Sequence, residues 1–91
     1  MRSRYTAFVL ERRDYLLATW HPSTRPQTLE FEPGVKWLGL DVRRHGLLPQ
    51  GEAEVEFVAR SRTAAGATRL HETSRFAQIE RQWLYVDGVM R

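Results

Sequence analysis

Apolar residues near the N-terminus recur at helical spacing. Tyr5, Phe8 and Val9 stand at positions i, i+3 and i+4 within residues 2–10. This spacing predicts a first helix with one apolar face, because residues three and four apart share a side of a helix. The charged run that follows has no such periodicity, so we expect this helix to end there.

A second short helix is expected over residues 15–20, with Asp14 as its N-cap, because Asp readily accepts hydrogen bonds from free N–H groups. Pro22 disfavours helical geometry at the residue before it and should end this helix. Residues 23–33 contain two prolines, Pro26 and Pro33, directly after Pro22, and should form an irregular connector. The alternation within residues 28–32 is also compatible with a short strand.

From Val35 onward the apolar residues alternate with polar ones, as in half-buried strands. Four strands are predicted: one from Val35 to the turn chemistry of residues 49–51, one around Ala53–Ala59, one over 68–79 and one over 82–90. The links between them are too short for crossover helices, so the sheet should be an antiparallel meander. The chain should therefore be a single α+β domain over residues 1–91, with the helices on one face of the sheet.

The faces of two strands can be assigned from this alternation. In the first strand Leu38, Leu40 and Val42 alternate with Trp37 and its polar or small neighbours. In the third strand one face carries two large apolar residues and two polar ones, namely Leu70, Glu72, Ser74 and Phe76. The apolar pair predicts that this face looks toward the helices, with the polar pair at or inside the core.

Glu72 therefore needs an explanation, because burying an unpaired carboxylate is very costly. One interpretation is structural: Glu72 forms an ion pair with an arginine of the first helix, Arg4 being the first candidate. The other is functional: Glu72 is a pocket carboxylate that acts as a general base or accepts a hydrogen bond from a ligand. The pattern leaves both interpretations open.

His21 allows a similar choice. In the structural interpretation Trp20 anchors the core, and His21 hydrogen-bonds a backbone carbonyl to shape the turn before Pro22. In the functional interpretation His21 and Glu72 face each other across a pocket as an acid–base pair. These two side chains are the candidate catalytic residues.

Composition narrows the function classes. The chain has no cysteine, which excludes disulfides and thiolate metal sites, and its three histidines lack metal-ligand spacing. The net charge of +3 comes almost entirely from arginine, but acidic residues are interleaved with it throughout, so we do not expect nucleic acid as a partner. We expect no cofactor and no metal. No apolar run is long enough to span a membrane and the N-terminus is too charged for a signal peptide, so we expect a cytoplasmic protein.

Four segments together resemble the YchJ-like family of bacterial proteins, namely residues 1–8, 14–23, 71–76 and 85–88. The resemblance implies a nuclear transport factor 2-like fold, in which helices pack in the concave face of a curved antiparallel sheet and enclose a conical, cystatin-like cavity. Many family members carry a Cys-rich zinc-binding segment before this domain. Because this chain lacks cysteine, zinc binding does not transfer to it. The family pattern begins its first helix upstream of the position that matches Met1, so we expect a trimmed or late-started form with a shortened first helix.

Related folds include isomerases, dehydratases and pure binding modules, so the fold does not decide the function. The absence of a known catalytic motif favours a binding module whose cavity takes a small ligand or a protein partner. The expected ligand-binding residues lie on the first helix, at the helix–connector junction and on the third strand: Arg4, Tyr5, Trp20, His21, Glu72, Ser74 and Phe76. The alternative is a small cavity enzyme that uses Glu72 and His21 for proton transfer. A homodimer through the sheet, using Val58, Ile79 or Trp83, is compatible with both the binding module and the enzyme.

Overall fold

Two short helices precede four long strands in the computed structural model, which describes residues 1–91. Helix α1 spans Arg2–Val9 and helix α2 spans Arg13–Ala18; the strands are β1 (Lys36–Leu48), β2 (Glu52–Thr63), β3 (Gly66–Ile79) and β4 (Gln82–Met90). The strands lie in the order β1-β2-β3-β4, and every neighbouring pair is antiparallel. The prediction of an α+β chain with an antiparallel meander is confirmed.

The N-cap prediction for α2 is wrong. Arg12 occupies the N-cap position, and Asp14 lies inside the first turn. The positive end of the helix dipole stabilises a carboxylate in that turn. The helix also ends at Ala18, two residues earlier than expected, because the segment that follows pairs with the sheet. Neither helix has the length and apolar character that crossing a membrane requires.

The buried side of α1 differs from the predicted one. Arg4 and Ala7 are the buried residues of this helix, whereas Val9 is 43% exposed. Tyr5 and Phe8 do face the protein, since both rings pack against Trp37, with centroids 5.7 and 6.3 Å away respectively. A charged residue thus occupies the centre of the buried helix surface, which apolar periodicity does not predict.

The connector contains no strand at residues 28–32, so that expectation is wrong. Side-chain packing anchors this segment instead. The ring of Phe31 lies edge-on to Phe8 with a centroid distance of 6.3 Å, and the Arg13 guanidinium sits 5.7 Å from the Phe31 centroid. The alternation of residues 28–32 reflects this contact rather than a ladder of backbone hydrogen bonds.

Strand β1 contains two irregularities that change which side chains face the helices. The register with β2 shifts between Trp37 and Gly39 and again between Val42 and Arg44. An extra residue in one strand reverses the direction of the side chains beyond it. As a result Trp37 packs against α1, whereas Leu38, predicted to share a face with Leu40, is 47% exposed.

One side of the sheet, here called the helix-facing side, carries the predicted face of β3. In the register between β2 and β3 each of its residues pairs with an apolar residue, the pairs being Ala53–Phe76, Val55–Ser74, Phe57–Glu72 and Ala59–Leu70. Phe57, Ala59 and Phe76 are buried there. Glu72 and Ser74 therefore lie among apolar neighbours, as the alternation predicts.

The opposite side of the sheet carries pairs of charged side chains as well as the buried apolar residues Val58 and Leu84. Glu56 lies 2.7 Å from the His71 ring, and this hydrogen bond lowers the pKa of the Glu56 carboxyl. Arg75 forms an ion pair of 2.9 Å with Asp87. Val58, one of the three residues named for a homodimer through the sheet, has no exposed surface in the single chain.

The free edge of β4 is covered by the residues that follow α2. The Tyr85 N–H donates to the Thr19 carbonyl at 2.8 Å, and the His21 N–H donates to the Tyr85 carbonyl at 2.7 Å. The Thr24 hydroxyl donates to the Val86 carbonyl at 2.6 Å. These bonds satisfy backbone N–H and C=O groups on an edge strand that would otherwise be free to pair with other chains. They also hold the end of α2 against the sheet.

Replacement of Leu16 by Ala should lower the free energy of unfolding by about 2–5 kcal/mol, because Leu16 is fully buried and its removal leaves a cavity. Leu47→Ala is the matched control, since Leu47 is 81% exposed and its loss should cost no more than about 0.5 kcal/mol. Denaturant melts of both variants measure the difference. Equal effects would contradict the assignment of Leu16 to the core.

Candidate functional site

A cavity of about 180 Å³ lies between α1 and the helix-facing side of the sheet; we call it the inner cavity. Nine of its eleven lining residues are hydrophobic, and these include Tyr5 and Phe8 of α1, Trp20, Trp37, Phe57, Ala59, Leu70 and Tyr85. Its two polar lining residues are Arg4 and Glu72. The inner cavity is therefore an aromatic enclosure with one cation and one carboxylate in its walls.

A second space of about 430 Å³, the outer cavity, lies toward the other end of the helix-facing side. It is lined by polar and apolar residues in similar numbers, among them Thr19, Ala53, Glu54, Phe76 and Trp83. Arg4 lines both cavities, so its side chain forms part of the wall between them.

Arg4 is held in place by the C-terminal end of α2. It is only 4% exposed, and its Nη1 atom donates to the Leu16 carbonyl at 3.1 Å and to the Thr19 hydroxyl at 2.6 Å. The last carbonyls of a helix have no partner within the helix and carry the negative end of its dipole. A buried guanidinium is thus stabilised there by neutral acceptors.

Aromatic rings complete the surroundings of Arg4. Its Cζ atom lies 4.7 Å from the Tyr85 ring centroid and 5.3 Å from that of Trp20, both within cation–π range. Burial lowers the pKa of the guanidinium, and the nearby Tyr85, Tyr15 and Glu72 partly offset that effect. The remaining nitrogens, Nε and Nη2, make no hydrogen bond to the protein.

The predicted ion pair between Arg4 and Glu72 does not form. The Glu72 carboxylate instead accepts a short hydrogen bond from the hydroxyl of Ser74, two residues along the same strand and fully buried. It also occupies the space next to Gly88, where any Cβ atom would collide with it. Because Arg4 turns toward the end of α2, the two charges line the same cavity without a direct bond.

Tyr85 is a main wall of the inner cavity that sequence reasoning left out of the site. Its ring packs edge-on to Trp20, with centroids 5.0 Å apart, and to Phe76 at 5.8 Å. Burial and, secondarily, the Glu72 charge raise the pKa of Tyr85 to about 12. The Nε1 atom of Trp20 is buried and has no hydrogen-bond partner.

His21 does not join Glu72. Its Nδ1 atom accepts from the Ser23 N–H at 3.1 Å and lies 2.7 Å from the Ser23 hydroxyl, in an exposed turn. No hydrogen bond or ion pair connects the two candidate catalytic residues, and His21 does not line the inner cavity. The structural interpretation of His21, in which its ring hydrogen-bonds a backbone carbonyl, also needs a correction. The ring accepts from Ser23, and it is the backbone N–H of His21 that donates to a carbonyl, that of Tyr85.

The structure thus gathers only part of the predicted ligand-binding set. Arg4, Tyr5, Trp20 and Glu72 line the inner cavity. Phe76 lines the outer cavity instead. Ser74 lines neither cavity, and its hydroxyl donates a hydrogen bond to the Glu72 carboxylate. His21 lies in the connector.

Thr19, Trp37 and Tyr85 were missed for different reasons. Trp37 and Tyr85 are aromatic residues of the strands, but register shifts in β1 and between Arg75 and Phe76 hide their faces from simple alternation. Thr19 gives a weaker signal in the sequence, since it is a single hydroxyl residue directly after the last residue of α2. Metal-ligating side chains do not come together in any group of three that could hold a metal ion.

A family model described as YchJ, middle NTF2-like domain, matches residues 1–88. A UPF0225 protein from Polaromonas naphthalenivorans is 68% identical over 88 residues, which cover 97% of this chain. The match covers 65% of that protein, so the chain spans slightly less than two thirds of the relative's length.

Two solved structures are similar to this chain. The solution structure of a SEC-C motif containing protein from Rhodopseudomonas palustris has a TM-score of 0.83 and 28% identity, and the match covers 98% of this chain and 73% of that one. The crystal structure of a SEC-C motif containing protein from Psychrobacter arcticus has a TM-score of 0.81 and 31% identity, covering 100% and 58% of the two chains.

The raised pKa of Tyr85 predicts a loss of stability in alkali. The unfolded chain releases this proton near the ordinary tyrosine pKa of about 10, whereas the folded chain keeps it until about pH 12. The contribution of Tyr85 to stability is therefore complete below about pH 10 and is lost as the pH rises to about 12. The free energy of unfolding, measured from about pH 9 to about pH 11, should fall more steeply for wild type than for Tyr85→Phe. Parallel curves would contradict the burial of this hydroxyl.

Proposed function

The chain belongs to the family of YchJ middle NTF2-like domains, and we propose that it acts as a binding module that holds a small molecule in the inner cavity. In this proposal the inner cavity is part of the cone that the nuclear transport factor 2-like fold implies. The observation that carries it is the cavity itself, an aromatic enclosure with a buried arginine in its wall.

The size of the inner cavity supports a small ligand. Its volume of about 180 Å³ exceeds that of an engineered cavity of about 150 Å³ that binds benzene. It is smaller than the pockets of roughly 300–1,000 Å³ that hold drug-sized ligands. A compound with one ring fits these limits, whereas a peptide segment of a protein partner does not.

The wall chemistry supports the same choice. Large aromatic side chains supply most of the surface, and a few placed polar groups fix the orientation of a ligand in such sites. Arg4 retains N–H groups that bond nothing in the protein. Proton transfer between Glu72 and His21 gains no support from the geometry, because the two side chains do not meet.

Filling the inner cavity should abolish binding. Ala59→Leu places a larger side chain in the inner cavity, and Ala53→Leu, its matched control, makes the same change on the same strand beside the outer cavity. Titration of toluene, indole and benzamide, followed by NMR chemical shifts, should show binding by wild type and by Ala53→Leu. Binding by Ala59→Leu should be weaker by at least about tenfold, or about 1.4 kcal/mol.

Two results would contradict the proposal. One is the absence of saturable binding of any single-ring probe to wild type. The other is binding that Ala53→Leu abolishes and Ala59→Leu leaves intact, which would locate the ligand in the outer cavity.

A further inference from the structure

The two polar groups of the inner cavity restrict the chemistry of its ligand. Arg4 can only donate hydrogen bonds, and Glu72, as a carboxylate, can only accept them. Both line a space of about 180 Å³ that a single ring compound fills. An occupant that fills this space therefore has both a donor and an acceptor among the side chains around it.

Both groups have hydrogen-bonding capacity left. Arg4 uses Nη1 for its two bonds, to Leu16 and Thr19, and leaves Nε and Nη2 without a protein partner. Glu72 accepts one bond from Ser74, and a carboxylate has about four acceptor positions. The Arg4 side chain as a whole is buried, with 4% of its surface exposed, so the protein holds these free donors in a fixed position.

The charged side chains of the inner cavity balance each other, since one guanidinium and one carboxylate line it without a bond between them. Met1 also lines this cavity, and burial together with the Arg4 charge lowers the pKa of its α-amino group, which favours the uncharged amine. An anionic ligand would gain from Arg4 but would bring a second negative charge beside Glu72. A cationic ligand would have the corresponding conflict with Arg4. Burying an uncompensated charge in apolar surroundings is costly, so a neutral ligand is favoured.

A plain hydrocarbon ring fits the aromatic walls but leaves both polar groups unbonded. Sites that are built to hydrogen-bond a ligand discriminate strongly against an analogue that lacks the polar group, because their own buried groups then remain unpaired. The occupant should therefore combine a ring with an acceptor for Arg4 and a donor for Glu72.

We propose that the inner cavity binds an uncharged, single-ring compound that carries a carboxamide-type group, with its carbonyl oxygen on Arg4 and its N–H on Glu72. This inference rests on the proposed function and specifies its ligand class. It makes Glu72 the residue that selects a neutral amide over a carboxylate of the same shape.

The test compares three probes of nearly equal shape: benzamide, benzoate and toluene. Dissociation constants for the full chain, from NMR titration at neutral pH, should be at least about tenfold lower for benzamide than for either other probe, a difference of about 1.4 kcal/mol. Benzoate carries the same carbonyl but has no N–H and adds a charge. Toluene keeps only the ring.

Glu72→Gln changes the preference in a defined direction. The amide keeps an oxygen that can accept from Ser74 but removes the negative charge, so the ratio of benzoate to benzamide affinity should rise about tenfold. Glu54→Gln is the matched control, because Glu54 lines the outer cavity and does not line the inner cavity. The ratio of benzoate to benzamide affinity of this variant should remain that of wild type.

The outcomes separate the two proposals. If none of the probes binds, the proposed function fails and the ligand class fails with it. If toluene or benzoate binds wild type as tightly as benzamide, the inner cavity still binds a ring, and the amide class alone is overturned. An unchanged ratio in Glu72→Gln also overturns it. Should Glu72→Gln not fold, the wild-type ranking of the three probes decides.

Discussion

The hydrogen bonds of the Arg4 guanidinium to the end of α2 are the interaction on which the rest of the structure depends. One nitrogen of α1 contacts the Leu16 carbonyl and the Thr19 hydroxyl, and the same group lies over the rings of Trp20 and Tyr85. These contacts join both helices to the outer strand of the sheet. The backbone pairing of residues 19–21 with β4 continues from the same point.

A buried arginine without a bonded carboxylate is an unusual way to join these elements. The guanidinium gives up hydration, and helix-end acceptors and aromatic faces replace only part of it. An apolar residue would avoid that cost, and the small core has few buried side chains to offset it. In the proposed function the retained charge serves as a hydrogen-bond donor at the wall of the inner cavity. Glu72, held there by Ser74 and by the space beside Gly88, is the proposed acceptor.

Period-two alternation predicts most of the fold but only part of the site. The β2 alternation and the face of Leu70 and Glu72 on β3 follow directly from it, because these two strands pair without a register shift. Period-two alternation does not reveal β-bulges, and a bulge changes which face the neighbouring side chains occupy. Trp37 and Tyr85, which lie next to such irregularities, could therefore not be assigned to the cavity. The partner of Arg4 could not be predicted either. The positive charge of Arg4 suggests a carboxylate as its partner. In the folded chain the end of α2 lies beside the guanidinium instead and provides the Leu16 carbonyl and the Thr19 hydroxyl as acceptors.

The coupling between Arg4 and Thr19 tests the central claim most directly. The free energies of unfolding of wild type, Arg4→Met, Thr19→Val and the double variant form a double-mutant cycle, in which each change keeps the approximate shape of the side chain. A hydrogen bond to a charged group in this buried position predicts a coupling energy of about 1.5–3 kcal/mol. A coupling near zero would show that Arg4 does not hold the end of α2, and would contradict this account of the fold and of the cavity wall.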